Sequence, residues 1–196
     1  MFSIDKEYDA LYEIQKSKFY SFAYPVFDME SVNKLIDKLH DEYGDATHIC
    51  YAYTLDAPKT EKANDDGEPN GTAGKPLLEL LKKKNLHNVL IVVIRYFGGI
   101  KLGAGGLVRA YTSSGNLALD KAKVVEFVSY PKYLAKIDIT MCNKLKTTII
   151  GLKGEILNEN YSEYYEVEFL GDIKDAILSR FVGVDIKDMG SEIKCR

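Results

Sequence analysis

Residue types and spacing best suited to chemistry occur in Arg95-Tyr96-Phe97-Gly98-Gly99-Ile100-Lys101-Leu102-Gly103-Ala104-Gly105-Gly106-Leu107-Val108-Arg109. Five of the chain's 15 glycines and two of its four arginines fall here. Glycine lets backbone N–H groups approach an anion closely, and a helix starting at such a loop adds partial positive charge. The segment therefore reads as a strand, a phosphate-sized cradle and a helix. Arg95, Lys101 and Arg109, with Lys75 beside them, would contact phosphates, and the amides at Gly98, Gly99, Gly103, Gly105 and Gly106 would complete the cradle. The alternative is a glycine-rich turn that packs a helix tightly on a sheet. Nucleotide motifs do not fit: Gly74-Lys75 is followed by Pro76 rather than Ser or Thr, and Val108 stands where a dinucleotide fingerprint needs a small residue.

A second stretch, Asn64-Asp65-Asp66-Gly67-Glu68-Pro69-Asn70-Gly71-Thr72-Ala73-Gly74-Lys75-Pro76, offers oxygen ligands at Asp65, Asp66 and Glu68. No distal glutamate follows at calcium-loop spacing, so turns and a helix cap formed by these carboxylates, with Gly71 and Thr72, are the competing reading. His48 and Cys50 sit two apart on an alternating stretch and so share a face. They would suit a nucleophile–base pair or half a zinc site, yet no second pair completes a tetrahedral set. No metal, cofactor or catalytic residue is assigned.

The elements that must position these residues follow from periodicity. Strands are expected at Lys18 to Phe27 and Thr47 to Leu55, the latter with Ile49, Tyr51, Tyr53 and Leu55 on one side. A helix is expected at Ser31 to Tyr43. Asp56 to Lys75 reads as a long loop, Pro76 to Lys84 as a short helix closed by lysines, and Val89 to Ile94 as a central buried strand. A helix from Leu107 to about Ala122 and a strand at Val124 to Val128 complete residues 1–130. Tyr130-Pro131 marks the expected boundary. Beyond it the order β-α-β-β-α-β, with Tyr165, Val167 and Phe169 on one face, predicts a small ferredoxin-like domain over residues 131–196. The class is α+β with two domains.

Composition narrows the partners. The net charge of −3 divides into −2 before Tyr130 (16 basic, 18 acidic) and −1 after it (10 basic, 11 acidic), so any polyanion must meet a local patch. Three cysteines far apart argue for a reducing, cytoplasmic compartment. The short apolar runs leave no membrane span, and the polar start has no signal-peptide core.

The acidic stretch and the segment Arg95 to Tyr111 together resemble the signature of the YigZ/IMPACT family, and His48-Ile49-Cys50-Tyr51-Ala52-Tyr53 is similar to a third element of it. The resemblance implies a ribosomal protein S5 domain 2-like first domain (residues 1–130) and a ferredoxin-like second domain, a pairing similar to the fourth and fifth domains of elongation factor G. That points toward RNA or the ribosome. Eukaryotic relatives act in translational control through protein partners. We expect no counterpart here of their extra N-terminal domain, so that role is not carried over. Three functions are therefore expected in turn: an RNA- or ribosome-binding protein in translation, a metal-assisted hydrolase or phosphoryl-transfer enzyme using Asp65, Asp66 and Glu68, and a protein-interaction module.

Overall fold

The computed structural model describes Met1–Cys195, which divide into two units, Met1–Glu126 and the residues from Phe127 on. The first unit runs β1 (Phe2–Ile4), β2 (Tyr8–Ile14), β3 (Ser17–Pro25), α1 (Met29–Glu42), β4 (His48–Asp56), β5 (Lys59–Asn64), α2 (Gly74–Lys83), β6 (Val89–Tyr96) and α3 (Gly103–Lys121). Its sheet has the order β2-β3-β6-β4-β5, every neighbour antiparallel. Val89 to Ile94 are all fully buried, because β6 lies at the centre of a sheet covered on both faces.

The alternation of β4 divides the two cores. Ile49, Tyr51, Tyr53 and Leu55 join Leu90, Val92 and Ile94 under α1, whose Val32 and Leu39 are buried. Cys50 and Ala52 join Ile91 and Val93 on the opposite face, where Leu77 and Leu81 of α2 and Leu107, Ala110 and Tyr111 of α3 pack. Asp28 starts α1 by accepting a hydrogen bond from the Ser31 amide, and that bond holds its carboxyl below the ordinary value. At the end of α2 the lysine run is tied down, Lys82 to Glu61 and Lys84 to Asp120.

The second unit takes most of a long strand, β7 (Val124–Asp138), then a 3-10 turn (Ile139–Met141), α4 (Cys142–Gly151), β8 (Glu155–Tyr161), β9 (Tyr164–Leu170), α5 (Lys174–Leu178) and β10 (Asp185–Cys195). Its strand order is β10-β7-β9-β8, all antiparallel. Tyr165, Val167 and Phe169 are fully buried with Leu145 and Ile149 of α4. The first residues of β7, Val124 to Glu126, pair with β1 in the first unit. The protein is α+β, and among the described residues no helix is long and apolar enough to cross a membrane.

Three expectations need correction. Within the supposed loop Asp56 to Lys75, Lys59–Asn64 form the edge strand β5; the polar N-terminus, for which no element was expected, holds β1 and the edge strand β2. Edge strands such as β5 bury little and so lack the apolar alternation that announces a strand. Helix α3 begins at Gly103 rather than Leu107, so Gly103, Gly105 and Gly106 lie in its first turn and not in a loop. Tyr130-Pro131 sits inside β7, and β10 shifts register between Asp188 and Ser191, opposite the proline that has no N–H to give.

Gly98, just after β6, is pressed on the β2–β3 turn: a Cβ there would overlap the Lys16 carbonyl group and the Ser17 amide nitrogen. Gly98→Ala should therefore cost about 2–4 kcal/mol by urea denaturation. Gly99→Ala, where a Cβ would meet nothing but the backbone stands at φ +86°, should cost less, about 1–2 kcal/mol, from backbone strain alone.

Candidate functional site

The two glycine-rich stretches meet at one ion pair. Arg95 near the end of β6 donates from Nη1 to Oε1 of Glu68 at 2.6 Å, with both side chains almost wholly buried. The register of β6 puts Arg95 between Phe19 of β3 and His48 of β4, its guanidinium 5.4 Å from the Phe19 ring centre and 5.3 Å from that of Phe97. Tyr111 of α3 donates its hydroxyl to the same Glu68 oxygen at 2.8 Å. A buried carboxylate is tolerable only with such partners, and here they come from a loop, a strand and a helix.

The acidic loop is organised inward. Asp65 accepts from the amides of Gly71, Ala73 and Gly74 at 2.8, 3.0 and 2.8 Å and so caps α2 from a distance. Asp66 accepts from the Ile49 amide, and Thr72 donates to the Pro69 carbonyl. These bonds, rather than a cation, use the carboxylates of Asp65 and Asp66. Among the described residues no group of three His, Cys, Asp or Glu could hold a metal ion.

His48 and Cys50 do share a face but are not joined. The Cys50 thiol donates to the Asp65 carbonyl at 3.0 Å and lies 3.4 Å from the Tyr111 hydroxyl. Burial pushes this thiol well above its ordinary value, against the opposing pull of Tyr111, and burial likewise raises the Tyr111 hydroxyl. A thiol held protonated is a poor nucleophile. Cys50 and Cys142 are free, and the Cys195 side chain lies outside the described residues. His48 lies 2.7 Å from the Asp66 carbonyl through Nδ1, which must donate, leaving Nε2 on the cleft side 3.9 Å from Glu68 Oε2.

A cleft of 390 Å³ opens beside the pair, walled by His48, Glu68, Arg95, Phe97, Lys101 and the first residues of α3. Leu102 stands at the helix cap without a side-chain cap bond, and the first turn of α3 carries no acid. Gly99 and Gly103 turn the chain into the helix with φ of +86° and +69°. The structure thus brings Arg95, Glu68, Lys101 and Gly103 to one place, although Arg95 is engaged with Glu68 instead of standing free for a phosphate. Gly98 packs against the β2–β3 turn, as described. Lys75 and Gly71 line a different groove, of 630 Å³, between α2 and α3 with Lys83 and Val108. Arg109 is exposed on α3 near Gly105, and Gly106 packs on Leu102. Of the aromatic pair, Tyr96 is tied to Asp45, while the Phe97 ring is 44 % exposed. Sequence reasoning gave Tyr111 no role of its own: it entered only as the last residue of the segment that carries the family resemblance.

Residues 15–119 match the model of the Impact N-terminal domain. The chain belongs to the IMPACT family. The IMPACT family member YvyE of Bacillus subtilis is 40% identical over 156 residues, 79% of this chain and 72% of the relative. YigZ of Escherichia coli is 32% identical over 155 residues, 78% and 76% of the two chains. A solved structure of a hypothetical protein superposes with a TM-score of 0.71 at 27% identity, covering 94% of this chain and 95% of the other.

Two outcomes follow. Arg95→Met alone should cost about 3–5 kcal/mol by chemical denaturation, because it strands a buried carboxylate, whereas Arg95→Met with Glu68→Leu should recover much of that loss. Because folding raises the Cys50 and Tyr111 values, their protons are released only on unfolding. Their contribution to stability should be level below about pH 8.5 and fall above it, with Cys50→Ala flattening the alkaline fall in denaturation series.

Proposed function

We propose that this protein binds RNA or the ribosome and takes part in translation or its regulation, contacting phosphates through the start of α3 and the cations around it. The observation that carries this is a local excess of unneutralised positive charge on an acidic chain. Lys75, Lys83, Lys101 and Arg109 are exposed and, among the described residues, none has a carboxylate partner. Three of them lie on α2 and α3, which cover the same sheet face, and Lys101 stands two residues before the uncapped N-terminus of α3. That N-terminus contributes free amides and the positive end of its dipole.

Membership of the IMPACT family supports the translational setting, with a cytoplasmic location. The β10-β7-β9-β8 order with helices α4 and α5 supports a ferredoxin-like second domain, and the resemblance of the first to domain 2 of ribosomal protein S5 points the same way. In this reading Arg95 and Glu68 shape the cleft, Lys101 and Arg109 supply the phosphate contacts, and Lys75 extends them along the α2–α3 groove. The hydrolase alternative loses its metal ligands, since Asp65 and Asp66 are spent on backbone amides.

Binding of ribosomes and of single-stranded RNA should weaken with salt with a slope of about −2 to −3 for three or four contacts. Lys101→Ala/Arg109→Ala should reduce both the affinity and the slope without lowering Tm. A slope near zero, or partners captured equally after nuclease treatment, would move the assignment to a protein-interaction module.

A further inference from the structure

Two hydrogen-bond acceptors stand bare in the cleft beside the ion pair. Oε1 of Glu68 takes both bonds made to that side chain, from Arg95 at 2.6 Å and Tyr111 at 2.8 Å, and Oε2 takes none. His48 gives its Nδ1 proton to the Asp66 carbonyl, so its Nε2 presents a lone pair, 3.9 Å from Glu68 Oε2. Among the described residues the one side-chain polar atom that is both closed to solvent and without a partner is Arg95 Nε, so Oε2 and Nε2 keep open surface. Both residues wall the cleft, and the gap between the two atoms opens into it. The Glu68 side chain is only 3% exposed, and a carboxylate oxygen so nearly shut off from water, yet given no donor, is a group for a ligand to complete. Each acceptor is also fixed from behind, one by Arg95 and Tyr111 and the other by Asp66, so little freedom is lost when a ligand arrives.

Charge selects the kind of donor. Arg95 offsets the Glu68 carboxylate and Lys101 stands on the same wall, so a metal ion or an ammonium group meets net positive charge. An anion meets the lone pairs of two acceptors. The gap therefore suits a neutral group with two donors side by side. The remaining walls suit a flat one: Phe97 at the rim is 44 % exposed, and Pro69, Leu102 and Leu107 are apolar. Of the four RNA bases only guanine has two neighbouring donors on its pairing edge, the ring N1–H and the 2-amino group. Adenine and cytosine set an amino group beside a ring-nitrogen acceptor there, and uracil has one N–H between two carbonyls.

We propose that this cleft takes an unpaired guanine base, with N1–H and the 2-amino group donating to Glu68 Oε2 and His48 Nε2 and the ring lying against Phe97. The inference rests on the RNA reading and adds a base preference to it. The same edge is offered by a free guanine nucleotide and by an unpaired guanosine within RNA.

Calorimetric titration of the full chain with nucleoside 5′-monophosphates tests it, because the phosphate is common to all and the base alone differs. Guanosine 5′-monophosphate should bind about ten-fold or more tighter than the adenosine, cytidine and uridine forms. Inosine 5′-monophosphate, which keeps N1–H but has no 2-amino group, should bind about three- to ten-fold weaker than the guanosine form. His48→Asn keeps a side-chain N–H for the Asp66 carbonyl and removes Nε2; the guanosine advantage should collapse while Tm holds. Phe97→Ala should weaken every nucleotide and leave their order unchanged. Heptauridylate carrying one central guanosine or one central adenosine identifies the source. A guanosine heptamer that outbinds both its adenosine twin and the free nucleotide assigns the site to RNA; equal binding of the free nucleotide and the guanosine heptamer assigns it to the free form. A guanosine form bound no tighter than the adenosine form, or an advantage undiminished in a folded His48→Asn, would overturn the proposal. Equal affinity for the guanosine and inosine forms would do the same without any variant. Salt-sensitive RNA binding that ignores guanine would sink the guanine site alone. Selection of guanosine 5′-monophosphate without RNA or ribosome binding would sink the broader reading alone.

Discussion

A buried ion pair with one hydroxyl on it, Glu68 with Arg95 and Tyr111, is the constraint on which the first unit depends. Three elements distant in sequence each contribute one polar group, and none is tolerable inside the protein without the others. The pair fixes the loop before α2 against the end of β6 and pins α3 over both. Such an arrangement is expensive to break and adds little to net stability when intact, so its value lies in the geometry it enforces. That geometry is a cleft whose floor is neutral and whose rim is positive.

The rest of the loop chemistry serves the same end. Asp65 spends one oxygen on the amides of Ala73 and Gly74 that open α2 and the other on the Gly71 amide of the loop, and Asp66 is tied to the Ile49 amide of β4. The result is a rigid connection in which Glu68 has little freedom to leave Arg95. The glycines divide by role accordingly. Gly98 is required by contact with the β2–β3 turn, whereas Gly99 and Gly103 bend the chain into α3 with its amides uncovered.

Much of this was legible in the sequence, and the failures have physical causes. The central strand was readable because burial on both faces leaves an unbroken apolar run, and β4 because its two faces meet two cores. The edge strand β5 was not, since most of its side chains meet solvent and carry no apolar alternation, and β2 was missed although Tyr8, Ala10, Tyr12 and Ile14 do alternate toward the core, because charged residues and the exposed Leu11 interleave with them. Residues around the cleft were found by type, but not their partners. Arg95 looked like a free cation because a charge in a glycine-rich loop carries no mark of the carboxylate 27 positions away that neutralises it. Asp65 and Asp66 looked like cation ligands for the same reason: backbone amides compete for carboxylates as well as metals do, and only the fold reveals which wins.

The central claim is that the uncovered amides at the start of α3 are the anion-binding element. Amide chemical shifts followed by nuclear magnetic resonance during titration with 5′-phosphorylated single-stranded RNA test it most directly. The account predicts that the largest shifts fall on Gly103, Ala104, Gly105 and Gly106, with Lys101 beside them. Shifts centred instead on the α2–α3 groove at Lys75 and Lys83, with the first turn of α3 unmoved, would contradict it.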